Sequence, residues 1–210
     1  SLSASELPDG ALITVFQQEP MGLGHAIGCA RSVVGDEPFA VMLPDDLILS
    51  DIPVMKQMVD AYAAAGGRGH MLAAQTVLPS EVHKYGILEV DTDAPSVGVM
   101  SVTSLVEKPD LSHAPSRLGV VGRYIFEPTI FEAIASQGGT VGGEIQLTDA
   151  ICSDIVNVPV HGYRFDGARF DCGSAAGFVQ ANIAFGRQHH EVGPAIDQML
   201  ASGRPGIAAA

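Results

Sequence analysis

The 210 residues are 47% hydrophobic and only 17% charged, and 24 acidic groups against 11 basic ones leave a formal charge of −13. That much apolar material supports one sizeable core and excludes a disordered chain, while no apolar stretch approaches the roughly 18 residues of a membrane span. A surface this acidic repels polyanions and excludes nucleic-acid binding through a broad basic face, yet leaves room for a small phosphorylated ligand held by one or two cations and a metal.

In chain order, Ala11 to Phe16 is an apolar, β-branched run that predicts a strand. Gly22-Leu23-Gly24 opens a helix to about Val34, and Gly35 to Pro38 is a turn cluster. Phe39 to Leu43 is nearly continuously apolar, the pattern of a strand buried on both faces of a parallel sheet. Val54, Met58, Ala61, Tyr62 and Ala65 recur at helical spacing until Gly66-Gly67 ends the helix, and Met71 to Val77 predicts another buried strand. Gly86 to Asp91, Val97 to Val106 and Leu118 to Phe126 read as three strands of a mixed or antiparallel extension. A short helix is expected from Pro128 and another from Glu144, with Leu147, Ile151 and Ile155 on one face. Strands follow over Val158 to Phe165 and near Phe170, and Ser174 is placed to cap a long helix carrying Phe178, Ala181 and Phe185. This alternation predicts an α/β domain with a mostly parallel, mixed sheet flanked by helices, and a small frayed tail after Gly203. Cys29, Cys152 and Cys172 are far apart and form no CxxC pair. That spacing predicts a reducing cytoplasm, and the lack of a basic region and apolar core at the start carries the expectation of no secretory signal.

Four segments carry candidate chemistry. Gln17 precedes Gly22-Leu23-Gly24-His25. An amide side chain has the donor and acceptor needed to read a pyrimidine edge, and glycines at a helix start let backbone approach a ligand; a plain glycine-assisted turn is the alternative, with His25 packing locally. Leu43-Pro44-Asp45-Asp46 puts two carboxylates at the C-terminal end of a buried strand, where α/β sheets bind ligands. Asp45 is the candidate for Mg2+, and Asp46 the candidate for turn or capping chemistry. In Val106-Glu107-Lys108-Pro109, one of only three lysines follows a Glu at a strand end. That arrangement suits a point charge for a phosphate beside a carboxylate for sugar hydroxyls, or equally a surface ion pair. Phe170-Asp171-Cys172-Gly173-Ser174 offers Asp171 as a second metal carboxylate or a cap, with Asp166 as a competitor for the role. Neither Cys172 nor Ser174 has a paired histidine, so no covalent nucleophile is expected.

Taken in order, GLGHA after Gln17, LPDD, Tyr85-Gly86, VEKP, Gly122-Arg123-Tyr124, GGEIQLTDAI (Gly142 to Ile151) and FDCG resemble the bacterial UTP–glucose-1-phosphate uridylyltransferases, over about Ala11 to His190. The resemblance implies the Rossmann-like nucleotide-diphospho-sugar transferase fold and a Mg2+-dependent reaction of UTP with glucose 1-phosphate giving UDP-glucose and pyrophosphate. It implies that Gln17 reads the uracil with the Gly22 backbone beside it, that Asp45 and Asp171 hold Mg2+, and that Gly86, Glu107 and the backbone near Val121 and Gly122 bind glucose. It makes Lys108 the holder of the sugar phosphate and, with Asp45, a catalytic residue. It also implies a homo-oligomer, commonly a tetramer. A sister enzyme using dTTP, or a non-catalytic homologue that binds sugar phosphate or UDP-glucose, are the alternatives. The family's opening GxGTR-type loop, which wraps the triphosphate, is not in this sequence, so about the first third is expected to be absent. Residues 1–190 are then a partial nucleotidyltransferase domain and 191–210 a C-terminal helix and tail.

Overall fold

The computed structural model describes residue 8 and residues 10–91, 97–137 and 143–203. Gly142 and the tail beyond Gly203, both used in the sequence reading, lie outside them.

Eight strands and seven α-helices alternate through these residues: α1 (Gly22–Cys29), α2 (Arg31–Val34), β1 (Phe39–Met42), β2 (Asp46–Leu49), α3 (Val54–Ala64), β3 (His70–Thr76), β4 (Gly86–Val90), β5 (Gly98–Glu107), β6 (Leu118–Phe126), α4 (Ile130–Ser136), α5 (Leu147–Asp154), β7 (Val160–Arg164), β8 (Ala168–Asp171), α6 (Ala175–Gln188) and α7 (Gly193–Ser202). Six strands form one sheet in the order β1-β6-β3-β7-β5-β4, and β2 pairs with β8 in a separate ribbon.

The mixed α/β class is as expected, but the ladders are less parallel than expected. β3–β7 is the parallel ladder among the described residues, while β1–β6, β3–β6, β5–β7 and β4–β5 are antiparallel. β1, β3, β7 and β4 nevertheless run the same way. β6 and β5 run against them and sit between them, which converts a set of co-directional strands into antiparallel neighbours.

Alternation along the strands sorts the core into two layers. Met71 and Ala73 of β3 and Val121 and Ile125 of β6 face Val54 and Met58 of α3. Leu72, Ala74, Tyr124 and Phe126 face the opposite way, onto α1, α4 and α5 through Ile27, Ile130, Ile134, Leu147 and Ile151. β3 has five consecutive buried residues because it is paired on both edges and covered on both faces. His70 at its start is fully buried. Its Nδ1 accepts the Glu127 backbone N–H at 3.1 Å, so Nε2 carries the proton and donates to Asp154 at 2.9 Å. Asp154 also accepts from Thr129 Oγ1 at 2.6 Å and Asn157 Nδ2 at 3.0 Å, leaving that buried pair with its hydrogen bonds made.

Two strand expectations are corrected. Ala11 to Phe16 forms no strand; Leu12 and Phe16 are 77% and 79% exposed. A β-rich run becomes a strand only when another strand takes its N–H and C=O groups, and no described strand pairs with this one. β1 is not buried on both faces. It alternates half-buried and exposed positions because, among the described residues, it lies at a sheet edge and pairs with β6 alone. The first helix also breaks at Ala30 into α1 and α2. Ser174 caps α6 as expected, its Oγ accepting the Gly177 N–H at 3.0 Å. No helix among the described residues is long and apolar enough to cross a membrane.

Candidate functional site

A cleft of about 450 Å³ opens where β4, β5 and β6, the turn after β1, and the N-terminal end of α5 meet, and Asp45, Asp171, Gly86, Glu107, Lys108, Gly122 and Thr148 all line it. Residues from LPDD, VEKP, FDCG and EIQLTDAI, up to 126 positions apart between Asp45 and Asp171, therefore share one cleft.

Asp45 and Asp171 are brought together by the β2–β8 ribbon, whose register sets Asp46 opposite Asp171. Just before the ribbon, the Asp45 carbonyl accepts the Cys172 N–H at 2.7 Å. The Gly173 N–H donates to Asp171 Oδ1 at 3.0 Å. A Cβ on Gly173 would stand 3.1 Å from Asp171 Oδ1 and 3.5 Å from Asp45 Oδ2, so the two carboxylates converge on one point beside a residue with no side chain. The described residues contain no ready group of three or more His, Cys, Asp or Glu ligands. Two convergent carboxylates suit Mg2+, which keeps several waters and takes one or two protein oxygens alongside substrate phosphates.

Asp46, next in sequence, has the opposite environment. Its carboxylate is buried against Arg169, their side chains being 8% and 9% exposed, with Arg169 Nε and Nη2 directed at Oδ1. Oδ2 accepts the Gly122 N–H at 2.7 Å. Burial works against the charge of Arg169, but Asp46 and the Tyr85 hydroxyl outweigh it and hold the guanidinium pKa above its ordinary value. Arg123 secures the same turn through the backbone, donating to the Leu43 and Gly122 carbonyls, each at 2.8 Å, and to the Asp46 carbonyl. Burial lowers its pKa. Both guanidiniums are thus committed to the fold, and Lys84 and Lys108 remain as the cations of the cleft with an exposed ammonium.

On the facing side, Glu107 Oε2 accepts the Thr148 hydroxyl at 3.0 Å and Oε1 lies 3.4 Å from Lys108 Nζ. Lys108 adopts φ 44°, the one left-handed non-glycine among the described residues, and its N–H donates to the Tyr85 carbonyl at 3.0 Å. Such a conformation is held by its surroundings rather than by local preference. It ends β5 at a lysine whose side chain is 58% exposed and lines the cleft. Gly86 lies against Glu107; a Cβ there would stand 3.2 Å from Oε2 and 2.7 Å from Thr148 Cγ2.

Gly122 and Val121 are placed differently. Gly122 reaches the cleft, but Asp46 already takes its N–H, and a Cβ there would come within 2.6 Å of Asp46 Oδ2. The side chain of Val121 points to the other face of β6, into the α3 layer. Gln17 and Gly22 are joined to each other, the Gln17 amide donating to the Gly22 carbonyl at 3.0 Å and meeting His25 Nδ1 at 2.9 Å, but neither lines this cleft. The glycines of GLGHA serve backbone contact. Gly24 N–H donates to the Ile145 carbonyl at 3.1 Å, and Ile145 N–H to that of Met21 at 2.8 Å. A Cβ on Gly24 would stand 2.7 Å from the Ile145 oxygen. This bridge commits the Ile145 N–H and carbonyl to the start of α1, Gln146 is extended, and α5 begins at Leu147 rather than Glu144. Arg169 was not singled out from sequence; Tyr85 and Thr148 lie inside the quoted Tyr85-Gly86 and EIQLTDAI motifs, which gave neither a role of its own.

Residues 8–188 match the family model described as nucleotidyl transferase. The chain belongs to the nucleotidyl transferase family. It is 40% identical, over 85% of its own length, to the UTP–glucose-1-phosphate uridylyltransferase YngB of Bacillus subtilis, and spans 59% of that protein. Its fold superposes on a UDP-glucose pyrophosphorylase from Acinetobacter baumannii with a TM-score of 0.84 at 35% identity, covering 94% of this chain and 68% of that one. A UDP-glucose pyrophosphorylase solved with UDP-glucose gives a TM-score of 0.75 at 38% identity, covering 82% and 65%.

Proposed function

We propose that this chain carries the metal and sugar-phosphate part of a site that transfers uridylyl from UTP to glucose 1-phosphate, giving UDP-glucose and pyrophosphate. The observation that carries the reading is the convergence of Asp45, Asp171, Glu107 and Lys108 on one cleft, in a chain 40% identical to a uridylyltransferase named for that reaction. A phosphate oxygen of glucose 1-phosphate attacks the α-phosphorus of UTP, a new P–O bond forms, and the bond to the β-phosphate oxygen breaks. The attacking phosphate is already ionised, so no general base is required. What the protein must supply is alignment of two anions and positive charge where negative charge gathers. Lys108 offers that charge to the sugar phosphate, and Glu107, oriented by Thr148, accepts hydrogen bonds from sugar hydroxyls. Asp45 and Asp171 would hold Mg2+, which when bound neutralises phosphate oxygens. Gln17, already turned toward Gly22, has the amide chemistry to read the uracil edge.

Incubating the chain with UTP, glucose 1-phosphate and Mg2+ and following pyrophosphate release tests this reading. Release that depends on both substrates and falls when dTTP replaces UTP supports it. Release that does not depend on glucose 1-phosphate, or no release from a chain that also fails to bind UDP-glucose, contradicts it.

A further inference from the structure

Arg169 has two sets of partners in two halves of the cleft. Toward the metal carboxylates it holds Asp46, the neighbour of Asp45 and the strand partner of Asp171. Toward the sugar side its Nη1 donates to the Tyr85 hydroxyl at 2.8 Å, and its guanidinium carbon stands 5.3 Å from the centre of the Tyr85 ring. The Tyr85 carbonyl in turn holds the N–H of Lys108 in its left-handed conformation. The chain of contacts Asp46–Arg169–Tyr85–Lys108 thus crosses the floor between the ribbon bearing the two carboxylates and the strand end bearing the phosphate-facing lysine. The β2–β8 ribbon belongs to a different sheet from β4 and β5. Their relative placement rests not on a shared ladder but on the short turn from β1 into β2, whose Leu43 N–H donates to the Gly122 carbonyl at 2.9 Å, and on side chains such as Arg123, Arg169 and Tyr85.

We infer that Arg169 and Tyr85 are positioning residues that fix the spacing between the metal carboxylates and Lys108, so that one ligand can engage both. The inference rests on the proposed function and goes beyond it in giving two cleft-lining residues a role exerted through their neighbours. A ligand confined to one half should not sense the bridge; a ligand spanning both halves should.

Tyr85→Phe keeps the ring that packs on Gly119, where a Cβ would already stand 3.1 Å from Tyr85 Cγ, and removes only the hydroxyl. Arg169→Lys keeps a cation for Asp46 and removes the fork. The full chain and both variants are titrated calorimetrically with glucose 1-phosphate without metal and with UDP-glucose plus Mg2+. Each variant is expected to weaken UDP-glucose with Mg2+ about tenfold while glucose 1-phosphate stays within about twofold, since one charged hydrogen bond is at stake and only the spanning ligand needs the alignment. The double variant should be no weaker than the weaker single one, because both cut the same bridge. Parallel losses for the two ligands, as a locally damaged fold would give, or unchanged UDP-glucose affinity in Tyr85→Phe overturns the inference while leaving the functional reading intact. A parent chain that does not bind UDP-glucose with Mg2+ overturns the functional reading and the inference with it.

Discussion

Asp45 and Asp46 are adjacent carboxylates for which the structure predicts opposite phenotypes. In Asp46→Asn the side chain keeps its shape but has one acceptor oxygen for donors that now occupy two, Arg169 on Oδ1 and the Gly122 N–H on Oδ2. Whichever way the amide turns, its NH2 faces another donor, and the buried guanidinium loses its counter-charge. Breaking one partner of a buried pair costs about 3–5 kcal/mol. At roughly 2–4 °C per kcal/mol for a domain of this size, the thermal midpoint should fall by about 10 °C. The Asp45 carboxylate is exposed and has no hydrogen-bond partner among the described residues. Asp45→Asn should therefore change stability by less than about 0.5 kcal/mol, yet abolish the contribution of Mg2+ to UDP-glucose binding. Thermal melts of both variants, with UDP-glucose titrations of Asp45→Asn with and without Mg2+, read the two effects separately. Equal melting of the two variants would refute the assignment of Asp46 to the fold, and an undiminished Mg2+ effect in Asp45→Asn would refute the assignment of Asp45 to the metal.

Lys108→Ala should weaken glucose 1-phosphate by roughly ten- to a hundredfold, the range of a charge-assisted hydrogen bond, and leave a uridine nucleotide nearly unaffected; equal losses for both would make Lys108 a structural residue. Stability should also depend on pH through the His70–Asp154 pair. Burial lowers the His70 pKa below 6.5. The unfolded chain therefore takes up that proton first, and stability is lost as pH falls below 6.5 toward the folded value. Burial pushes the Asp154 pKa up, but hydrogen bonds from Thr129, Asn157 and His70 prevail and hold it below 3.8, so a second loss begins as pH falls past that value. Thermal melts should show His70→Gln less stable than the parent at pH 7.5 and losing less on acidification by about two pH units, to about pH 5.5; an identical pH slope in both proteins would contradict this assignment.

How far the sequence could be read follows from where each signal resides. β3, β5 and β6 and the Ser174 cap were legible because each carries its cause locally, as an apolar run or as a hydroxyl at a helix start. Ala11 to Phe16 carries the same local signal as β3, but lacks a described pairing strand, so composition misled. β2 is only four residues long and exists because β8 pairs with it. At the site, scarcity and context picked out Asp45, Asp171, Glu107 and Lys108, all of which line the cleft. Arg169 was invisible because its partner Asp46 is 123 positions away and an Arg within ARFD has no pattern that marks it as buried. The side-chain alternation of β6, which sends Val121 into the α3 layer while Gly122 lines the cleft, is likewise set only in the finished sheet.

The most direct measurement of the central claim is a calorimetric titration of the intact chain with UDP-glucose, with and without Mg2+. The account predicts saturable binding that Mg2+ tightens, and the tightening should vanish in Asp45→Asn. Binding that Mg2+ leaves unchanged, or an absence of binding in a folded chain, would contradict it.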